Sequence, residues 1–348
     1  MVASSQLTAK RPRAIANWLL MVAGMVVLIL VVGGITRLTE SGLSITQWNP
    51  VTGALPPLTD AQWQAEYARY RATPEFRFEA GPAGMTLEHF KFIFFWEWFH
   101  RLIGRLIGLA FALPLAWFWV KGQIPTGYKP RLVALLALGG LQGTFGWLMV
   151  RSGLSGQMTD VSHFWLSIHL TTALFTLAGL VWTALDLLAL HRHPASRPRH
   201  LRLDALLVGA MLLIQLVLGA WVAGLNAGHV TRSWPLMDGR LVPEVDSGGH
   251  GALYTLTHDP FLLHFLHRWW AIAVLVAMIW FARSIRGFAR LPAAALNGVV
   301  GTQVVLGILT VVSGVSLWIA VLHQLVGALL VATFAWAAHA KGRERWLR

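Results

Sequence analysis

Eight runs of apolar residues limit what this chain can become. They cover about 14–35, 91–120, 132–150, 163–190, 205–225, 261–281, 293–312 and 317–339. Each is long enough for an α-helix to cross the ~30 Å hydrocarbon core of a bilayer. With 56% of its residues hydrophobic and 12% charged, a soluble fold of this length would have more apolar surface than it could hide. The chain is therefore predicted to be an all-α integral membrane protein with eight transmembrane helices. The first run follows Lys10, Arg11 and Arg13 as a signal peptide would. It exceeds a usual signal core and ends in Gly33-Gly34-Ile35-Thr36-Arg37, a poor cleavage site, so it reads as a retained helix.

Eight crossings put both termini on one side. Seventeen of the 28 Lys and Arg residues lie on that side, against eight on the other; Arg101, Arg105 and Arg268 lie within runs. Basic loops stay in the cytoplasm, which predicts cytoplasmic termini. The net charge of +13 belongs to this bias, so no nucleic-acid partner is expected and membrane lipid is. Outward then lie two long polar loops, 36–90 and 226–260, with most of the acids, among them Asp60, Glu66, Glu75, Glu244 and Asp246. The first, with Pro50, Pro56, Pro57, Pro74 and Pro82, is too long for a plain turn and is expected to be ordered.

The chain repeats itself. Gly42-x5-Trp48-x4-Gly53-x-Leu55-x-Pro57 recurs as Gly228-x5-Trp234-x4-Gly239-x-Leu241-x-Pro243, and Gln142-x3-Gly146-x5-Ser152-Gly153 as Gln303-x3-Gly307-x5-Ser313-Gly314. His100-Arg101 recurs as His267-Arg268, and His169 pairs with His323. Two repeated four-helix bundles, 1–203 and 204–348, are expected, related by an axis along the membrane normal.

Of 14 histidines, His100, His169, His264, His267 and His323 lie within the runs; the others, including His163 and His339, sit in loops or near helix ends, where solvated or interfacial positions are the ordinary reading. His100, His169, His267 and His323 fall six to nine residues from the outer end of their runs, about 10–14 Å deep. Two readings fit: axial ligands to haem iron, two per bundle, or interhelical polar contacts and proton relays. Zinc or copper would need more ligands brought together. The absence of cysteine excludes disulfides, thiolate-ligated haem and iron–sulfur clusters.

Glu97 and His100, three apart, share a helical face. Glu97 aligns with His264, so only one half has an acid beside its histidine. A buried carboxylate suits proton-coupled oxidation; a Glu97–Arg101 ion pair of purely structural use is the other reading. Gly33, Gly34, Gly104 and Gly108 would admit a close backbone or a flat ring. Arg37 and Arg151, at outer helix ends, could meet haem propionates or lipid headgroups. Trp18, Trp165 and Trp318 read as an interface belt.

Gly33-Gly34-Ile35-Thr36-Arg37-Leu38-Thr39-x-Ser41-Gly42-Leu43-Ser44, Trp48-x-Pro50-x-x-Gly53-x-x-Pro56-Pro57, Glu97-x-x-His100-Arg101, His169, His267-Arg268 and His323 resemble the haem A synthase family over nearly the whole chain. Lacking the loop cysteine pair of some relatives, the sequence is similar to the cysteine-free branch that includes the mitochondrial enzymes. The resemblance implies an oxidoreductase acting on a CH or CH3 group, which turns the C8 methyl of haem O into a formyl group by two hydroxylations and loss of water. It implies that Glu97 is catalytic, that His100 and His169 receive substrate haem O, and that His267 and His323 hold a resident haem b. Haem O synthase is the implied partner, with an electron donor it does not identify, and the haem A made would serve cytochrome c oxidase. Two other functions share the four histidines: a dihaem b-type cytochrome exchanging electrons with quinone, and a transporter using them for proton coupling.

Overall fold

The fold is a bundle of eight long helices whose outer ends are roofed by two structured loops. The computed structural model describes residues 10–245 and 248–342; Asp246, Arg343, Arg345 and Arg348 lie outside them. The spanning helices are α1 Pro12–Leu38, α3 Leu87–Val120, α4 Lys129–Gly153, α5 His163–Arg192, α6 Leu203–Gly224, α8 Pro260–Ile285, α9 Arg290–Val312 and α10 Leu317–Lys341. Two shorter helices belong to the loops, α2 Asp60–Arg71 and α7 Ala252–His258. All eight long helices are long and apolar enough to cross a membrane. Among the described residues the sole sheet-like pairing is a bridge between Met237 and Arg240.

Helix starts follow local chemistry. Thr86 caps α3, its Oγ1 accepting from the His89 amide at 3.2 Å, and Asp259 caps α8 by accepting from Leu262 at 2.7 Å, with Pro260 at the first helical position. Pro114 lies inside α3 and cannot donate to the carbonyl of Ala110. Trp18 of α1 takes that place, its Nε1 donating to the Ala110 carbonyl at 2.8 Å. Trp18 is therefore a buried structural residue instead of part of an interface belt, whereas Trp318 is exposed as expected of one.

Helix α1 packs on α3, α5 and α10, and α5 and α10 meet at the centre. The pairings α1–α3 and α4–α5 recur as α6–α8 and α9–α10, and contact of α5 with α6 is matched by that of α10 with α1. The main hydrophobic core fills only the half of the bundle away from the two long loops. It runs from Ile15 to Leu30 on α1, Ala173 to Leu187 on α5, Val274 to Ile285 on α8 and Ala328 to Ala338 on α10. All four candidate histidines lie beyond it, in the outer half.

The loop 39–86 is ordered. Thr59 and Gln62 form a reciprocal capping box at the start of α2. Tyr70 packs with Phe90, Ile93 and Phe94 in a second apolar cluster above the bundle. This cluster lets α3 start four residues earlier than its apolar run and puts His100 thirteen residues from the helix start. His169, His267 and His323 lie six or seven residues from theirs.

Candidate functional site

Each of the four histidines lies against a glycine of the preceding spanning helix. A Cβ added to that glycine would come nearest to the imidazole Cε1 in every case. The distances are 3.1 Å for Gly33 and His100, 3.0 Å for Gly146 and His169, 2.8 Å for Gly219 and His267, and 3.1 Å for Gly307 and His323. A side chain at any of the four would crowd the ring, most severely at Gly219, so these glycines serve close approach. They lie five to seven residues from the outer ends of their helices, which keeps the four rings at one level.

His100 is within electrostatic reach of His169, and His267 of His323. Yet α3 and α5 share no substantial interface, and α8 touches α10 only marginally. The imidazoles are half-buried, each keeping free surface within a spanning helix.

Three rings also have a glutamine one turn before their glycine. Gln142 Nε2 lies 3.1 Å from His169 Nδ1 and donates to the His169 carbonyl at 2.8 Å. Gln215 repeats this on His267, at 3.1 Å to both Nδ1 and the carbonyl. Gln303 stands 3.3 Å from His323 Nε2. The Oε1 atoms of all three glutamines are buried without a partner.

This arrangement fits a haem. Each half holds two imidazoles within electrostatic reach of each other on helices that scarcely touch, as two ligands to one haem would be. Among the described residues no three His, Asp or Glu side chains converge. Paired donors suit a macrocycle that brings four ligands of its own, whereas a bare ion needs three or four from the protein.

Glu97, Arg101 and Arg105 form a stripe along α3 that clamps the outer loop. Glu97 Oε2 accepts from Ser44 Oγ and the Ile45 amide, both at 2.7 Å, and Oε1 accepts from Arg101 Nη2 at 2.6 Å. The Arg101 guanidinium also donates to the Ile45 and Gln47 carbonyls, and Arg105 to those of Asn49 and Pro50. The Glu97–Arg101 ion pair of the structural reading is thus formed, with the Glu97 side chain only 4% exposed. Nearby in the loop, burial first, and then the Glu97 carboxylate, push Glu75 up to about 8. The Tyr70 hydroxyl is raised by burial and by Glu75.

The second half repeats the clamp without the acid. Arg268 Nη1 donates to the Ser233 carbonyl at 2.9 Å, as Arg101 does to that of Gln47, and each guanidinium lies over the next tryptophan, Trp234 or Trp48. His264 stands in Glu97's place, so Arg268 Nε and Nη2 are buried with no partner, as is His264 Nδ1.

The sequence was compared with known proteins. The family model of COX15-CtaA, cytochrome oxidase assembly protein, matches residues 16–335. The chain belongs to this family. The heme A synthase of Erythrobacter litoralis is 60% identical over 332 residues, 95% of this chain and 98% of the relative. That of Novosphingobium aromaticivorans is 59% identical over 340 residues, 95% and 96% respectively. That of Sphingopyxis alaskensis is 56% identical over 342 residues, 98% and 96%.

Other candidates in this member of the COX15-CtaA family have different surroundings. Arg37 donates to the Ala223 and Gly224 carbonyls and to Asn226 Oδ1, and pairs with Asp160 at 3.4 Å. It ties the end of α1 to that of α6 and to the α4–α5 loop. Arg151 is exposed, its guanidinium over the Trp147 ring. His163 is buried against Gly224, Trp221 and His258 where α5 meets α6. His339 is not solvated: it is buried and bonded to Asp186 at 3.0 Å. Of the glycines expected to admit a close backbone or ring, Gly33 meets His100 and Gly34 meets Gln324, Gly104 only approaches Ile29, and nothing approaches Gly108. Gln215-x3-Gly219 went unnoticed in the repeat, though its spacing is that of Gln142-x3-Gly146 and Gln303-x3-Gly307.

Proposed function

We propose that this chain is the enzyme that converts haem O to haem A, oxidising the C8 methyl to a formyl group by successive hydroxylations. The observation that carries the reading is the pair of bis-histidine sites, alike in their backing glycines and unlike beside them, with Glu97 in one and His264 in the other. A carrier of electrons alone has no use for that difference. The high identity to relatives named heme A synthase supports it.

In this reading the halves are 1–203 and 204–348. His100 and His169 would hold haem O, and His267 and His323 a resident haem b, which when bound supplies a route for electrons. Glu97 is held in place by Ser44, Ile45 and Arg101 and would take a proton from the substrate. Arg268, with Nε and Nη2 both buried and unpaired, would make a better propionate partner than Arg37, which has only Nε unpaired while its other nitrogens meet Ala223, Gly224, Asn226 and Asp160. The loops roof the outer ends of both sites and restrict water. Haem O synthase would supply the substrate, and an external donor the electrons. The excess of basic residues in the loops on the side of the termini supports cytoplasmic termini in the plasma membrane.

The test is the haem extracted from the purified protein, made with and without haem O synthase and separated by chromatography. Haem A should appear only with the synthase, always beside haem b. Two equivalents of haem b and no haem O or A under either condition would instead identify a dihaem cytochrome.

A further inference from the structure

The four histidine positions differ in one respect that the proposed function leaves unused. Gln142, Gln215 and Gln303 each precede the backing glycine by four residues, one helical turn, and each amide reaches its imidazole. On α1 the residue four before Gly33 is Ile29. Ile29 is half-buried, its Cδ1 directed at Gly104 of α3, the helix that carries His100. It offers no polar atom to the ring. Three imidazoles are thus held on two sides, by glycine backbone and by glutamine, and His100 by Gly33 alone.

A ligand ring with a second polar contact is fixed in orientation, and losing that partner weakens metal binding by about 10–100-fold. The Nε2 of Gln142 and of Gln215 reaches Nδ1 of its ring and also donates to the carbonyl of the same histidine, and Gln303 reaches Nε2 of His323. Each amide thus holds its imidazole in place from the helix behind it. Both ligands of the second half have such a glutamine. The first half has one locked ligand, His169, and one unlocked, His100.

We propose that Gln142, Gln215 and Gln303 are positioning residues that lock three axial histidines, and that Ile29 leaves His100 as the ligand that lets go, so haem enters and leaves the first half by making and breaking the bond to His100 while His169 keeps hold. This rests on the reading that the first half takes the exchanging haem. The asymmetry matches that need: a substrate must be released, a resident cofactor must not.

The experiment is haem transfer from the detergent-solubilised holoprotein to excess apomyoglobin, followed in the Soret band. The wild type should show a fast phase from the first half and a slow one from the second. Ile29→Gln should slow the fast phase at least fivefold. Gln215→Leu and Gln303→Leu should each speed the slow phase at least fivefold, with the reduction potential of that haem shifting as its ligand ring is freed to turn. Gln142→Leu should speed the fast phase and leave the slow one unchanged. An unaltered fast phase in folded Ile29→Gln would overturn the lability of His100, and unaltered retention in the Gln215 and Gln303 variants would overturn the lock. A wild type that binds no haem would sink the haem reading itself, a result distinct from haem bound with unchanged rates.

Discussion

Gly219 lies so close to His267 that a Cβ on it would stand 2.8 Å from the imidazole Cε1. This is the tightest of the four glycine–histidine contacts. Gly219→Ala must displace the ring or force α6 from α8. Overpacking of this kind costs about 1–3 kcal/mol. The variant should lose most haem from the second half while keeping that of the first. Haem content per protein and the thermal midpoint check both parts.

Glu97 is asked to do two things, and two substitutions separate them. Glu97→Gln keeps hydrogen-bonding atoms towards Ser44 and Ile45 but removes the charge. It should leave both haems bound and lower haem A formation by about 100-fold or more, the usual scale for a lost acid–base group. Glu97→Ala also abandons the partly buried Arg101 and should cost, in addition, up to about 3–5 kcal/mol. Normal haem A output from Glu97→Gln would leave the carboxylate as a clamp only.

Glu75 gives the outer loop a pH dependence. Its value rises from 4.5 to about 8 in the folded protein because burial and the neighbouring Glu97 disfavour its charge. The folded state therefore binds more protons than the unfolded state between these values, and stability falls as pH rises through that window. Glu75→Gln, neutral at every pH, should flatten the fall and stabilise the protein at pH 8 by on the order of a few kcal/mol. Melting curves of wild type and variant from pH 5 to 8, a range set by that shift, provide the test; parallel curves would show that Glu75 ionises freely.

Asp186 anchors the other end of the bundle. Its side chain, 0% exposed, accepts from Arg131 at 2.6 Å, from His339 at 3.0 Å and from the Arg199 amide at 3.0 Å. It thereby joins α4, α5 and α10. Asp186→Asn should destabilise the fold by less than the roughly 3–5 kcal/mol of a fully buried pair, because Arg131 is partly in solvent. The haem spectrum should not change, since the histidines lie beyond the far side of the hydrophobic core. Denaturation followed beside the Soret band distinguishes the two effects.

The sequence alone determined the eight crossings, the family resemblance and the four histidines, because bilayer length and the cost of buried polar groups act on local composition. It also paired Gln142 with Gln303 and His100 with His267, since an internal repeat needs no coordinates. It left Glu97 between acid and ion pair, and it placed His339 and Trp18 in water or interface. Only the tertiary structure showed that the ion pair is formed and that His339 and Trp18 are buried. Arg101 reaches Glu97 along one helix, but Ser44 and Ile45 come from a loop about fifty residues earlier, Asp186 reaches His339 across two helices, and Trp18 fills the carbonyl that Pro114 leaves open on another helix. The backing glycines belong to the same class. A glycine in an apolar helix has many uses, and which histidine it faces depends on how two helices cross, a relation that no spacing within either helix contains.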